Sequence, residues 1–269
     1  MTNIHPAAII EEGVELGFDV KIGPFCHIGT GVKLADGVEL KSHVVIAGNT
    51  TIGANTIIYP FAAIGLAPQD KKYANEPSKL IIGSNNVIRE YVTIHPGTEG
   101  GGLVTTIGSG CLFMIGVHIA HDCVVGDNAI FANQATLAGH VAVGDNVIIG
   151  GLTGIHQFVR IGSHAMIGGM AGVTQDVIPY GVIVGAHAQL SGLNLIGLKR
   201  RGFSSSDISS LRDAYRTLFA IDEHTADSTF KERLIKTETN FRDAAHVMEL
   251  IDFIKEESHR NLCMPKDAA

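Results

Sequence analysis

Aliphatic residues recur at every sixth position: Ile4, Ile10, Leu16, Ile22, Ile28, Leu34, Leu40, Ile46, Ile52, Ile58 and Ile64. After a polar gap the same phase returns at Ile82, Ile88 and Ile94, and after a longer step it resumes at Ile107 and runs by sixes to Val173. Four places after each aliphatic stands a small or β-branched residue, such as Ala8, Val20, Cys26, Val44 and Ala62, and later Cys111, Val117, Cys123 and Ala135. A period of six builds neither the stripe of an amphipathic helix nor a heptad seam. It fits short strands that turn a corner every six residues, three of them closing a triangular coil of 18, with coils stacked into a parallel β-helix. The two apolar positions of each hexad then point inward.

Two segments leave this register. Leu66 to Leu80, "LAPQDKKYANEPSKL", puts Asp70 and Glu76 where isoleucine belongs and is expected to be expelled as a loop, and Pro96 to Val104, "PGTEGGGLV", as a glycine-rich second excursion. Loops on a rigid scaffold commonly carry function. Beyond residue 190 the hexads stop. Ser204 to Ser206 cap "DISSLRDAYRTLFA", Asp227 onward gives "DSTFKERLIKTE", and "NFRDAAHVMELIDFIKEE" has helical spacing. The expectation is a β-helix over 1–189 and a small helical domain over 190–269, whose aliphatic and Met248 stripes are packing surface.

Composition narrows the partners. With 45% hydrophobic and 17% charged residues among 269, 32 glycines and no tryptophan, the chain reads as globular with many tight corners. A net charge of −7 argues against nucleic acid as a partner. The opening "MTNIHPAAIIEEG" has neither the basic nor the apolar region of a signal peptide, and no apolar run is long enough to span a bilayer, so a soluble cytoplasmic protein without membrane insertion is expected. Cys26, Cys111 and Cys123 fall on the second inward position and, with Cys263, show no metal-finger spacing.

Position within the 18-residue coil gives an angular address. His121, Gly139 and Gln157 share one; Asp122 and His140 lie one place further round and His156 one place before. At about 4.8 Å per coil, His121, His140 and His156 span roughly 10 Å along one outward edge, the reach of a substituted sugar. Histidine beside aspartate in "HIAHDC" suits general base work, since a carboxylate can fix the tautomer of an imidazole that titrates near neutrality. Metal binding is the rival reading, but histidines two coils apart cannot share a zinc ion within one chain. His5, His27, His43, His164 and His187 have other addresses and are expected to be solvent-facing.

Together with the hexads, the segments "APQDKKYANEP", "IREYVTIHPGT", "HIAHDCVVGDN", "NQATLAGHV", "GIHQFVRIG" and "GLNLIGLKRRGFS" resemble the acyl-[acyl-carrier-protein]–UDP-N-acetylglucosamine O-acyltransferase family over nearly the whole chain. The resemblance implies an all-β left-handed parallel β-helix with a small α-helical C-terminal domain, a hand opposed to the usual crossover rule. It implies a homotrimer with sites between subunits, acyl carrier protein and UDP-N-acetylglucosamine as partners, and no cofactor or metal. His121 would be the general base, Asp122 its orienting partner, and the Gly139 N–H the oxyanion donor. Asp70, Lys72, His118, His140, His156 and Gln157 would hold the sugar nucleotide, Asn194, Arg200 and Arg201 the nucleotide or carrier, and Gly169 would end the acyl groove. One departure is Ile196, where the family pattern has glutamate. A related N-acyltransferase would carry a further domain before the hexads, which here begin at Ile4, and a trimeric hexapeptide carbonic anhydrase would need zinc between chains.

Overall fold

The computed structural model describes residues 2–219 and 228–266. Among the described residues, three sheets of 11, 9 and 8 short strands, parallel but for one terminal strand, form the sides of a left-handed triangular prism. Each strand pairs with those one coil before and after, so Ile4 lies beside Ile22 and Ile22 beside Leu40. Inward columns such as Ile28, Ile46, Ile64, Ile94, Ile119 and Leu137 are fully buried. At about 1.5–3 kcal/mol for each buried aliphatic, these columns dominate the stability of the coil. Ile4 is exposed and Ile10 and Leu16 are half-buried, because their strands lie at the ends of their sheets.

The corners are made by left-handed residues: Phe61, Tyr91, Asp122, His140 and Phe158 all have φ near +60°. For a residue with a side chain this costs roughly 1–2 kcal/mol, which the ladder of coil-to-coil hydrogen bonds offsets.

Both excursions are shorter than their sequence suggests. Lys79–Ile82 and Val104–Ile107 are strands, and Leu80, two places before Ile82, is buried on the inward face, so Leu80 and Val104 belong to the coil. The expelled residues leave the register intact, since Ile64 pairs with Ile94 and Ile94 with Ile119. The two loops also hold each other. Glu76 accepts from the Glu99 N–H at 3.1 Å and from the Ala74 N–H at 2.7 Å, and the Lys79 carbonyl accepts from the Gly97 N–H.

Strand Gln189–Leu193 runs past residue 190 and turns back antiparallel on Gly181–Val184. Among the described residues four helices follow: α1 (Leu195–Arg200), α2 (Ser205–Leu218), α3 (Phe230–Asn240) and α4 (Ala245–Lys255). Ser204 caps α2, and Thr229 with Glu232 forms a capping box on α3. Asp227, the expected start of the second helical segment, lies outside the described residues. The helix expected from Asn240 onward is confined to α4, because the chain turns between Phe241 and Ala244. After α4 the tail is strapped to the last coil by Asp176. This buried carboxylate accepts from Arg160 N and Nε and from Ser258 Oγ, while its backbone pairs with Asn261 and Cys263.

Candidate active site

His121 and Asp122 stand at an outward corner of the coil, yet both are buried, because the second loop folds over them. Asp122 accepts three hydrogen bonds: from the Thr98 N–H at 2.8 Å, from Thr98 Oγ1 at 2.6 Å, and from His121 Nδ1 at 2.7 Å. Its own N–H donates to Thr105 Oγ1. Gly101 packs against the carboxyl group so closely that a Cβ there would lie 2.0 Å from Asp122 Cγ. Because the carboxylate can only accept, the proton on His121 sits at Nδ1, and Nε2 keeps its lone pair. Nε2 faces Asp70 Oδ2 at 3.9 Å. The imidazole lies over Gly139, where a Cβ would sit 2.5 Å from Cε1, so only glycine fits beneath the ring. The Gly139 N–H donates to no group among the described residues.

The first loop delivers Asp70 to this corner through its own turn, in which Oδ1 accepts from the Lys72 N–H at 2.9 Å. Lys72 is exposed beside it. On the strand that leads into this corner, His118 shares a 2.7 Å hydrogen bond with Thr93 Oγ1 of the coil below, and burial, helped by the neighbouring His95 and His121, pushes its pKa down to about 4. His95, buried and bonded through Nδ1 to the Leu66 carbonyl at 2.9 Å, ties the root of the first loop to the same patch. On the coil above, His140 meets His121 edge-on at 5.0 Å and stacks on Phe158 at 4.4 Å. Burial lowers its pKa, against the pull of Asp122. His156 and Gln157 follow one coil further, exposed, and the tail residue Arg260 reaches both.

The remaining expected residues lie elsewhere. Gly169 stacks on Gly151, in a column with Asn133 and Ile115 at a different edge of the prism from His121, so one chain alone does not bring the two together. Asn194 is buried as the cap of α1: its Oδ1 accepts from the Gly197 N–H, and its Nδ2 donates to the His164 carbonyl, leaving the amide committed to the fold. Arg200 and Arg201 line a cleft of about 670 Å³ with the apolar Ile148, Met166, Val182 and the exposed Ile196. Burial lowers the Arg201 pKa. His164 is not solvent-facing filler: it packs between Tyr180 and Phe203, with its Nδ1 buried.

His121, Asp122 and His140 place possible metal-ligand atoms within 4.8 Å of one another. Three hydrogen bonds already occupy both oxygens of Asp122, which suits a carboxylate that orients an imidazole better than one that binds a cation. Thr98, His95, Phe158 and Arg260 escaped the sequence reading. Thr98 sits in a flagged loop, but no periodicity marks Arg260, whose position outside the hexads hides its partners.

What this corner serves is decided by comparison. Residues 176–263 match the family model described as UDP-N-acetylglucosamine O-acyltransferase, domain 2, and residues 13–48 and 105–139 match the bacterial transferase hexapeptide model. A Rickettsia canadensis protein named acyl-[acyl-carrier-protein]–UDP-N-acetylglucosamine O-acyltransferase is 52% identical over 262 residues, covering 97% of each chain. The chain belongs to this family. A Caulobacter vibrioides acyltransferase of the same name is 52% identical over 264 residues, covering 98% of each chain. The solved UDP-N-acetylglucosamine O-acyltransferase of Moraxella catarrhalis superposes with a TM-score of 0.92 at 42% identity, over 97% of this chain and 99% of that one.

Proposed function

We propose that the protein transfers a 3-hydroxyacyl group from the thioester of an acyl carrier protein to the 3-hydroxyl of UDP-N-acetylglucosamine, in the cytoplasm, as the first step of lipid A synthesis. The observation that carries this reading is the His121–Asp122 pair, with Nδ1 held by the carboxylate and Nε2 turned to Asp70 above Gly139. Nε2 removes the proton from the attacking hydroxyl, the new C–O bond forms, and negative charge gathers on the former carbonyl oxygen. The unpartnered Gly139 N–H is the donor suited to that oxygen. Collapse breaks the C–S bond, and the imidazolium returns its proton to the departing thiolate, so no cofactor is consumed. Asp122 supports the imidazolium formed on the way, as Thr98 fixes the carboxylate.

Asp70, Lys72, His118, His140, His156 and Gln157 would bind the sugar nucleotide along the edge. Arg200 and Arg201 would meet phosphate groups from the 670 Å³ cleft, where planar guanidinium groups match phosphate oxygens. A homotrimer is supported by one flank of the prism, whose outward residues Ile57, Val87, Leu112, Ile130, Ile148 and Met166 carry no charge over six coils. A second copy would also close a cleft between the His121 edge and the Gly169 edge. No described helix is long and apolar enough to cross a membrane.

The test is incubation with UDP-N-acetylglucosamine and a panel of 3-hydroxyacyl carrier proteins, read by mass spectrometry. The wild type should give the O-acylated sugar, and His121→Ala should fold and turn over about 10²-fold more slowly or worse. Near-normal kcat in that variant would remove His121 from the mechanism.

A further inference from the structure

Beyond α4 the C-terminal tail lies on the histidine edge. Asp176 straps it down through Ser258, and Ser258 Oγ also accepts from the Arg260 N–H at 3.1 Å. His259 leans on Phe158 at 5.1 Å, below which His140 stacks. Arg260 then turns its guanidinium onto the edge itself. Its Nε donates to the Gln157 carbonyl at 2.9 Å and its Nη2 meets His156 Nδ1 at 2.6 Å. No carboxylate among the described residues pairs with it.

A guanidinium has donors only, so His156 Nδ1 must accept, and the ring proton is forced onto Nε2. The other arrangement, with Nδ1–H donating to the Gln157 carbonyl at 3.4 Å, would aim a proton at a cation 2.6 Å away. Gln157 O is in any case taken by Arg260 Nε at the shorter distance. Arg260 thereby sets both orientation and tautomer of an exposed histidine at the far end of the candidate sugar site.

We propose that Arg260 is a positioning residue for substrate binding, holding His156 as a neutral Nε2–H donor toward the sugar nucleotide; this rests on the acyltransferase reading above. Acting through His156, it should affect binding of the nucleotide sugar and leave the chemical step at His121 alone.

The experiment is a double-mutant cycle on the full-length enzyme, with KM for UDP-N-acetylglucosamine and kcat measured separately. Arg260→Ala should raise that KM about tenfold, the scale of one charge-assisted hydrogen bond, with kcat within about twofold. In a His156→Ala background the same change should add nothing, and Arg260→Lys, which keeps a donor, should recover part of the loss. Unchanged KM in Arg260→Ala, or effects that add with His156→Ala, would overturn the proposal. A second measurement is independent of whether the Arg260 variants fold: ¹⁵N spectra of the histidine-labelled wild type, with His156 assigned through His156→Gln, should show Nδ1 bare and Nε2 protonated. The opposite tautomer would overturn the assignment. Absence of acyl transfer by the wild type would instead remove the functional reading, and the tautomer can be read without substrate.

Discussion

At the scale of single residues, Gly139 offers the cleanest test, because its backbone sits outside the left-handed region and alanine would be conformationally acceptable there. A methyl group 2.5 Å from His121 Cε1 can be accommodated only by moving the imidazole. Gly139→Ala should therefore fold with a lowered melting temperature, as the displaced imidazole gives up its bond to buried Asp122, and lose about 10²-fold in kcat, as a misplaced general base would; steady-state kinetics beside a thermal melt would check it. His118 makes a prediction about pH. Its folded pKa of about 4 lies below the ordinary 6.5, so between these values the unfolded chain holds a proton that the folded chain refuses. Stability should fall as the pH is lowered from 6.5 toward 4, with no contribution from this group above 6.5. His118→Gln should flatten the melting temperature across that window, and an unchanged slope would assign the effect to another group. The sequence showed His121 and Gly139 by their shared address, and Asp122 by its place beside it. It concealed their burial, because what covers them is an aperiodic loop whose path no repeat prescribes.

Among the elements, the two loops form one lid over the candidate catalytic corner, the first bringing Asp70 and the second Thr98. Asp70→Ala and Lys72→Ala should weaken use of the sugar nucleotide without lowering the melting temperature, since neither belongs to a strand. A large thermal loss with unchanged kinetics would make the loop structural. Thr98→Ala behaves differently, because it removes a donor from a buried carboxylate. A cost of about 1–3 kcal/mol in stability together with reduced kcat is expected, and Thr98→Ser should restore both, measured by denaturant unfolding and turnover. The strands were legible almost to the residue, since two inward positions per hexad leave only one register. The loop ends were not, as Leu80 and Val104 satisfy strand alternation while lying inside stretches of loop composition. The helical segments were placed by their caps, but the turn at 241–244 interrupts a stretch whose spacing alone continues as helix.

On the scale of the whole molecule, His121 and Gly169 lie on different edges, so under the proposed reading acyl-chain selection would be a property of the proposed assembly. Gly169→Met places its Cβ 3.1 Å from the Gly151 carbonyl, a contact that a shift of a few tenths of an ångström relieves, so the variant should fold. Its side chain would then fill the end of the groove, and competition between short and long 3-hydroxyacyl carrier proteins should shift toward shorter products; an unchanged ratio would show that the chain ends elsewhere. The prism also measures in integers. Every site is fixed by a whole number of coils, each about 4.8 Å high, and by an angle that returns only after 18 residues. Inserting one complete coil would lift everything beyond it by a single step with its facing preserved, whereas any other length must be expelled as a loop, as 66–78 and 96–103 are. Distances in such an enzyme can change only in jumps, so fine adjustment of what it accepts falls to individual side chains along the edges.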